Sequence, residues 1–190
     1  MDREKTANEY TGNGYMVKKI FKRYLPLYEA AVGYLPISDK CNTIVDLGSG
    51  VGHFAKILFD KGYIKYIGID FAPAMLKKSK KQVPEATFIL GDLRNEEIHK
   101  IIQKHKIFVI LETLEHIEKD LDIIKNIPQG SLVIFSVPNY DHPAHVRHFK
   151  TINNVIERFE HLLKFKDNLI IRNKTRKIFL FKCIRKFGDL

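Results

Sequence analysis

Three acidic residues stand where apolar, strand-like runs of the sequence end. Asp46 precedes a glycine-rich turn, Asp70 ends the next apolar run, and Asp92 ends the one after that. Open α/β sheets bind their ligands beyond the carboxyl ends of the strands, so we expect the three carboxylates to surround one cleft. They favour a ligand that is cationic and lacks phosphate, because they would repel a pyrophosphate.

The turn after the first run reads Gly48-Ser49-Gly50-Val51-Gly52 and leads into a predicted helix. Glycines let a backbone turn sharply and approach a ligand closely, and the start of the helix offers unpaired N–H groups. A dinucleotide-binding G-x-G-x-x-G turn would require its third glycine at position 53, where this chain has His53. The turn therefore predicts a nucleoside site of a kind other than an NAD site.

The second and third acidic positions suggest how a nucleoside would bind. Asp70 lies 22 residues after Gly48, where a carboxylate can accept hydrogen bonds from both hydroxyls of a ribose. The next residue, Phe71, is positioned to lie along an adenine ring. Asp92, followed by Leu93, is positioned to accept a hydrogen bond from the adenine amino group.

Two loops farther along the chain carry residues that could move a proton or bind a metal ion. Glu112, Glu115 and His116 form an E-x-x-E-H sequence after the fourth strand-like run, and the loop after the fifth contains His142, His145 and His148. Histidine is suited to general base catalysis because its unperturbed pKa is about 6.5. We expect His116 and His145 to face the reacting group and to act without a metal. For each single histidine, a solvated or structural role is an equally good interpretation.

The elements that must position these residues alternate between strand and helix. Apolar positions such as Phe54, Ile57 and Leu58 follow helical spacing between the strand-like runs, and alternation of this kind predicts a parallel sheet covered by helices on both faces. The predicted strands are Thr43–Gly48, Tyr63–Asp70, Ala86–Gly91, Lys106–Leu111 and Ser131–Val137.

The two ends of the chain depart from this repeat. Tyr15–Leu35 carries an apolar stripe that predicts a helix, which Pro26 would kink or divide into two. Leu162–Ile171 and Lys177–Ile184 are strand-like runs separated by Arg172–Thr175, which predicts a hairpin. The expected fold is a Rossmann-like, doubly wound α/β sheet of seven mostly parallel strands that ends in an antiparallel hairpin.

Composition limits the class of protein. The length of 190 residues suits one domain, with residues 1–39 as a helical lid and residues 40–190 as the core. No apolar run approaches the ~18–20 residues needed to cross a bilayer, and the polar N-terminus does not resemble a signal peptide. Cys41 and Cys183 lack metal-ligand spacing and are expected to be free thiols. We therefore expect a cytoplasmic protein that does not bind a membrane; its oligomeric state is not predicted.

The net charge of +10 is concentrated at the C-terminus, where residues 150–190 contain 11 Lys or Arg against 4 Asp or Glu. A basic segment can bind the phosphates of a nucleic acid. The chain also has 24 Lys and 24 Ile but only 8 Arg, and such a composition makes a protein basic without a polyanionic partner. We prefer the compositional interpretation and keep RNA as an alternative partner.

The segments VDLGSGVGHF, GIDFAPAML, GDL and LETLEHI together resemble the class I S-adenosylmethionine-dependent methyltransferases. They look most like the broad group that includes the ubiquinone-pathway O-methyltransferases, and the resemblance covers roughly residues 40–184. It implies S-adenosylmethionine as the cofactor, with the methionine part over Gly48, Gly50 and Gly52, the ribose at Asp70 and the adenine near Phe71 and Asp92. The further cofactor-binding residues that we expect are Asp46, Ser49, Leu93 and Glu112, although Ser49 stands where cysteine is commoner in the family.

The resemblance also implies a reaction. HVRHF is similar to a short His-x-Arg-x-aromatic segment that leads into the last helix of the family, here about Ile152–Leu162. The leading hypothesis is methyl transfer to an oxygen, or less readily a nitrogen, of a small-molecule or carrier-borne acceptor whose identity the sequence does not give. A non-catalytic cofactor-binding subunit is an alternative from a different class.

A third hypothesis comes from a narrower likeness. E-x-x-E-H is also found in RNA 3′-terminal 2′-O-methyltransferases, which use two glutamates and two histidines to hold a divalent metal. The corresponding residues here would be Glu112, Glu115, His116 and either His145 or His148. The chain lacks the acidic-aromatic-Trp segment of those enzymes, so the metal and the RNA acceptor remain alternatives to the metal-free reaction.

Overall fold

A computed structural model describes residues 4–11, 14, 18–36, 42–173 and 176–188. Its centre is one sheet of seven strands, as predicted. The strands are β1 (Ile44–Leu47), β2 (Tyr66–Asp70), β3 (Thr87–Leu90), β4 (Ile107–Leu111), β5 (Leu132–Pro138), β6 (Leu163–Asn173) and β7 (Arg176–Arg185). They lie in the order β3-β2-β1-β4-β5-β7-β6, and β1 to β5 are parallel.

Both faces of the sheet are covered, because successive residues of a strand point to opposite sides. In β1, Ile44 packs into one apolar cluster and Val45 packs into the other. The helices α2 (His53–Asp60), α3 (Pro73–Gln82), α4 (Glu96–Ile102), α5 (Asp120–Lys125) and α6 (Ile152–Phe159) connect the strands. The doubly wound α/β fold is therefore confirmed, and it directs the carboxyl ends of β1, β2 and β4 toward one edge.

The C-terminal hairpin is antiparallel, with β7 inserted between β5 and β6. The rings of Phe135 on β5 and Phe181 on β7 stack with their centroids 5.0 Å apart, which anchors the hairpin to the parallel strands. The connection is tighter than predicted, since the strands extend to Asn173 and from Arg176, which pair with each other. Lys174 and Thr175 lie outside the described residues.

The N-terminal segment contains α1 (Lys18–Gly33), which continues through Pro26, so of the two predicted alternatives at Pro26 the start of a second helix is wrong. Tyr15 lies outside the described residues. The ring of Phe21 meets the ring of His53 at 4.9 Å, and this contact joins α1 to the start of α2. Cys183 is buried, whereas Cys41 lies outside the described residues. Within the described ranges, no helix has the length and apolar character needed to span a membrane.

Candidate active site

A cleft of about 510 Å³ opens at the carboxyl ends of the parallel strands. Most of the residues that the sequence singled out line it, although they come from segments far apart in the chain. They are Asp46, Gly48, Ser49, Gly50, Asp70, Phe71, Asp92, Leu93, Glu112, Glu115, His116, His142 and His145. The expected clustering of the three acidic strand ends at one edge is therefore observed.

The glycine-rich turn after β1 depends on backbone conformations that favour glycine. Gly48 has φ +86°, and a Cβ there would lie 2.4 Å from Thr113 Oγ1. Gly50 has φ +56°, with open space where its Cβ would be. Gly52 does not line the cleft. A Cβ at this position would lie 2.9 Å from the Cβ of Ser79, so the absence of a side chain at Gly52 lets α3 approach the turn. Gly52 therefore shapes the turn, whereas Gly48 and Gly50 face the cleft.

Asp70, at the end of β2, is held rigidly below this turn. Its two carboxylate oxygens accept hydrogen bonds from the backbone N–H groups of Gly50 at 2.8 Å and Ala72 at 2.9 Å. Burial raises the pKa of Asp70, and these backbone donors oppose the rise by stabilising the charged form. Each oxygen has a second lone pair, so the carboxylate can still accept a ligand hydroxyl.

Asp46, at the end of β1, has a partner that the sequence did not suggest. The hydroxyl of Tyr66, on β2, donates a hydrogen bond of 2.7 Å to Asp46 Oδ2. Desolvation raises the pKa of Asp46 to about 7, with a contribution from the charge of Asp70, while the Tyr66 hydroxyl opposes the shift. A cation bound in the cleft would favour the ionised form of Asp46.

Phe71 and Asp92 mark the end of the cleft where we expected an adenine. The Phe71 ring meets the ring of Tyr10 edge-on at 5.4 Å, which places an N-terminal residue over this end. Both carboxylate oxygens of Asp92 accept hydrogen bonds from the side chain of Arg94, at 2.8 and 2.5 Å. Arg94 also pairs with Glu4 at 2.6 Å. An adenine amino group would thus share the Asp92 carboxylate with Arg94. The sequence did not indicate a role for Arg94.

His116 and His145 are brought together from two loops. Their ring centroids lie 4.9 Å apart at 83°. His116 Nδ1 lies 2.8 Å from the carbonyl oxygen of Ala144, and His145 Nδ1 lies 3.2 Å from that of Tyr140. Because a carbonyl only accepts, each Nδ1 carries the hydrogen and each Nε2 carries the lone pair. Burial lowers the pKa of His116 and lowers that of His145 to about 4, so both rings are neutral at pH 7.

Glu112 and Glu115 are buried beside the histidines in different ways. Glu112 has φ +52°, an unusual conformation for a residue other than glycine, and its Oε1 accepts a hydrogen bond from Ser136 Oγ at 2.9 Å. Desolvation raises the pKa of Glu112 to about 8. Glu115 is 1% exposed; its Oε1 lies 3.7 Å from His116 Nε2, and its Oε2 has no hydrogen-bond partner among the described residues.

The ligand atoms of Glu115, His116 and His145 all lie within 4.8 Å of one another, which is compatible with one metal ion. Glu112 does not belong to this group of ligands, although the metal site suggested by the sequence included it as one of four. The segment is also different in shape from the expected helical turn, because Leu114–His116 is a short 3-10 helix and Glu112 precedes it.

The other two histidines of the second loop differ in their access to the cleft. His142 lines it, and its Nδ1 accepts a hydrogen bond from the N–H of Ala144 at 3.2 Å. His148 Nε2 lies 2.7 Å from the carbonyl oxygen of Asn139, and His148 does not line the cleft. Of the two positions that the sequence left open, His145 is therefore the one that faces the cleft.

Comparison with known proteins finds a methyltransferase domain within the chain. A family model described as a methyltransferase domain matches residues 44–129, from the start of β1 to the turn before β5. This match and the relatives below support a class I S-adenosylmethionine-dependent methyltransferase. A trans-aconitate 2-methyltransferase of Escherichia coli O157:H7 is 28% identical over 111 residues, which are 57% of this chain and 44% of that protein. The chain thus spans less than half the length of the curated relatives it matches.

Solved structures extend the likeness of fold to nearly the whole of this chain. The complex between the Haloferax volcanii Trm112 methyltransferase activator and a methyltransferase matches with a TM-score of 0.75 at 15% identity, over 95% of this chain and 97% of that one. Magnesium protoporphyrin IX methyltransferase from Synechocystis PCC 6803 with bound S-adenosylhomocysteine matches with a TM-score of 0.67 at 14% identity, over 86% and 84%.

The residues of the cleft fit S-adenosylmethionine, the cofactor that the methyltransferase-domain match supports. The open space at the Cβ position of Gly50 lets a cofactor approach the backbone of the turn closely. Asp70, which is hydrogen-bonded to Gly50, has carboxylate lone pairs that a cofactor hydroxyl can use. Arg94, a cation of the lining, is already paired with Asp92 and Glu4. This donor set suits a cationic nucleoside without phosphate.

Arg147 ties the two histidine loops together. Its guanidinium donates hydrogen bonds to the carbonyl oxygens of Leu114, Ile117 and Glu118, which flank His116. It also pairs at 3.2 Å with the fully buried Asp120. Arginine offers five N–H donors in a fixed plane, so one side chain can hold the whole turn.

Replacement of Arg147 by alanine is expected to lower the free energy of unfolding by about 2–3 kcal/mol. The loss should be smaller than the ~3–5 kcal/mol typical of a broken buried ion pair, because Asp120 keeps its bidentate contact with Arg158. Urea unfolding of the variant measures it. Arg172→Ala, an exposed arginine on β6, is the control, and equal stabilities of the two variants would contradict this role for Arg147.

Proposed function

We propose that this chain transfers a methyl group from S-adenosylmethionine to an oxygen of a small-molecule or carrier-borne acceptor. The observation that carries the proposal is the pair of neutral histidines, His116 and His145, that line the same cleft as the glycine turn. A neutral imidazole with its lone pair on Nε2 can accept the proton of an attacking hydroxyl.

S-adenosylmethionine supplies an electrophilic methyl group. The acceptor oxygen attacks the methyl carbon in an SN2 step, in which the C–O bond forms as the C–S bond breaks and S-adenosylhomocysteine leaves. The protein has to place the acceptor within ~3–3.5 Å of that methyl group and in line with the breaking bond. His116 Nε2, or His145 Nε2, takes the proton that the hydroxyl loses. The carbonyl oxygens of Ala144 and Tyr140 hold these rings in the required tautomer.

Product analysis with a donor labelled in its methyl group tests the proposal. The protein, the labelled donor and fractionated cell extract should yield a product heavier by one labelled methyl group, with the label on oxygen in the fragmentation pattern. Label on nitrogen or carbon would contradict the oxygen acceptor. Tight donor binding without any labelled product would favour the non-catalytic cofactor-binding subunit.

A second candidate is 2′-O-methylation of RNA with a bound divalent metal. The observation that favours it is the cluster of Glu115, His116 and His145, together with the buried Glu115 Oε2 that lacks a partner among the described residues. A metal there would bind hydroxyl oxygens and lower the pKa of the one that attacks. Basic side chains of the hairpin, such as Lys164 and Lys182, are the positions that would meet RNA phosphates.

Metal removal separates the two candidates. We expect turnover to survive dialysis against EDTA, because the proposed reaction needs only a base. Loss of turnover on dialysis, restored by Mg²⁺ or Mn²⁺ while donor affinity stays constant, would establish the metal-dependent candidate. Transfer RNA should bind weakly at physiological salt and lose affinity steeply as salt rises; sub-micromolar, structure-selective binding would favour RNA as the acceptor.

A further inference from the structure

The lining of the cleft contains a cation that no acidic residue within the described ranges neutralises. Arg176, the first residue of β7, lines the cleft and forms no ion pair with any of the described residues. Arg23 and Arg94 also line the cleft, and Arg94 is paired with both Asp92 and Glu4. Arg176 thus brings an unneutralised positive charge to a site where anions can reach it.

The guanidinium of Arg176 is placed by the ring beneath it. Its Cζ lies 4.4 Å from the centroid of the Tyr140 ring, within the range of a cation–π contact. Such a contact uses the face of the guanidinium. The N–H donors point outward in its plane, which is the arrangement that binds a carboxylate or phosphate through two parallel hydrogen bonds.

Tyr140 in turn connects Arg176 to the candidate catalytic group. Its carbonyl oxygen accepts the hydrogen bond from His145 Nδ1, and its ring centroid lies 5.7 Å from that of His145. Its hydroxyl is hydrogen-bonded to Tyr24 of α1. Arg176 and His145 are therefore separated by one fixed tyrosine ring, so a single small molecule can reach both.

Further aromatic rings line the cleft together with Tyr140. Tyr24 and Tyr28, on one side of α1, have ring centroids 6.2 Å apart and line the cleft with Tyr140. Such a wall favours a flat or apolar body for the acceptor. This combination of an arginine and aromatic rings differs from the part of the cleft where we expect the cofactor, which is formed by the glycine turn and carboxylates.

We propose that the methyl acceptor is an anion whose carboxylate or phosphate group binds Arg176, while its reacting oxygen lies beside His116 and His145. This inference rests on the proposed function and adds to it the chemical class of the acceptor. The anionic group is distinct from the methylated atom and is held one tyrosine ring away from it. Arg176 is then a residue that determines specificity, whereas the histidines act on the reacting oxygen.

Binding of matched small probes to the protein saturated with S-adenosylhomocysteine tests this assignment. Benzoate, phenyl phosphate and neutral benzamide share a flat ring and differ in charge, and ligand-observed NMR measures their dissociation constants. We expect at least one anion to bind about tenfold or more tightly than benzamide, since a bidentate charged contact is strong. The better of the two anions identifies carboxylate or phosphate as the source.

Arg176→Gln should remove the preference for anions and leave the affinity for S-adenosylhomocysteine within about twofold of the wild type. Arg172→Gln, on the neighbouring strand and outside the cleft lining, should retain the preference. Equal binding of benzamide and both anions to the wild type would overturn the inference. A preference for anions that survives in Arg176→Gln would also overturn it. A large loss of S-adenosylhomocysteine affinity in that variant would overturn it as well, because it would assign Arg176 to the cofactor carboxylate. Failure of the wild type to bind S-adenosylhomocysteine at all would instead contradict the proposed function.

Discussion

Replacement of His116 by alanine is expected to lower kcat by about 10²–10⁴-fold, the usual effect of losing a general base. His116 lies in the cleft with its Nδ1 committed to the carbonyl oxygen of Ala144, so Nε2 is the ring nitrogen that would meet an acceptor. Steady-state kinetics with the labelled donor, once an acceptor is known, measures the effect. His145→Ala should also reduce kcat, because its ring lies 4.9 Å from that of His116.

His148→Ala is the matched control, since that ring is in the same loop as His145 but outside the cleft lining. It should keep kcat within a few-fold of the wild type. Donor affinity, measured by calorimetry, should be the same in all three variants, because none of these histidines belongs to the glycine turn or the acidic strand ends. Unchanged turnover in both His116→Ala and His145→Ala would contradict their assignment to the reacting group.

The histidine pair also illustrates what a sequence can predict. His116 and His145 were predicted to face one site because each follows the carboxyl end of a parallel strand, and the fold brings such ends to one edge. Their tautomers could not be predicted, because these depend on the carbonyl oxygens of Ala144 and Tyr140, whose positions are set by the loops. Arg147, which holds those loops together through three carbonyl oxygens, was recognised only as part of a short motif.

The strands and the glycine turn were predictable because their signals are local. Runs rich in β-branched residues gave β1 to β7 to within a few residues, and the Gly48–Gly52 turn follows directly from its glycines. The short 3-10 helix at Leu114–His116 was not predicted, because E-x-x-E-H fits an α-helical turn equally well. The left-handed conformation of Glu112 gives no sequence signal, since glycine is the residue expected there.

Contacts between distant segments were the least predictable part of the site. Tyr10 contacts Phe71 and His116, and Glu4 pairs with Arg94, although the N-terminal segment carries no motif. The Tyr66–Asp46 hydrogen bond joins residues of two strands that are 20 positions apart in the sequence. Nothing in the sequence distinguishes Tyr66 from any other aromatic residue of a strand. Such contacts depend on tertiary packing, and neither periodicity nor spacing encodes them.

Replacement of Asp70 by alanine is expected to weaken S-adenosylmethionine binding by about 1.5–3 kcal/mol, because charged hydrogen bonds to the ribose are lost. Calorimetry measures the change. Nicotinamide dinucleotides should not bind either protein, since the third glycine of their turn is replaced by His53 and the cleft is acidic. Asp60→Ala, which removes an exposed carboxylate paired with Lys56, is the control for the loss of one surface charge.

Asp70 also accepts the N–H groups of Gly50 and Ala72, so the alanine variant will loosen the turn as well as remove the ribose contact. A ribose-specific effect can be separated from this loosening with an S-adenosylhomocysteine analogue that lacks both ribose hydroxyls. The wild type should prefer the natural ligand to the analogue, and in Asp70→Ala the preference should largely disappear, because the carboxylate that distinguished them is gone. A preference of the same size in both proteins would show that the ribose binds elsewhere, and that Asp70 serves only to hold the glycine turn.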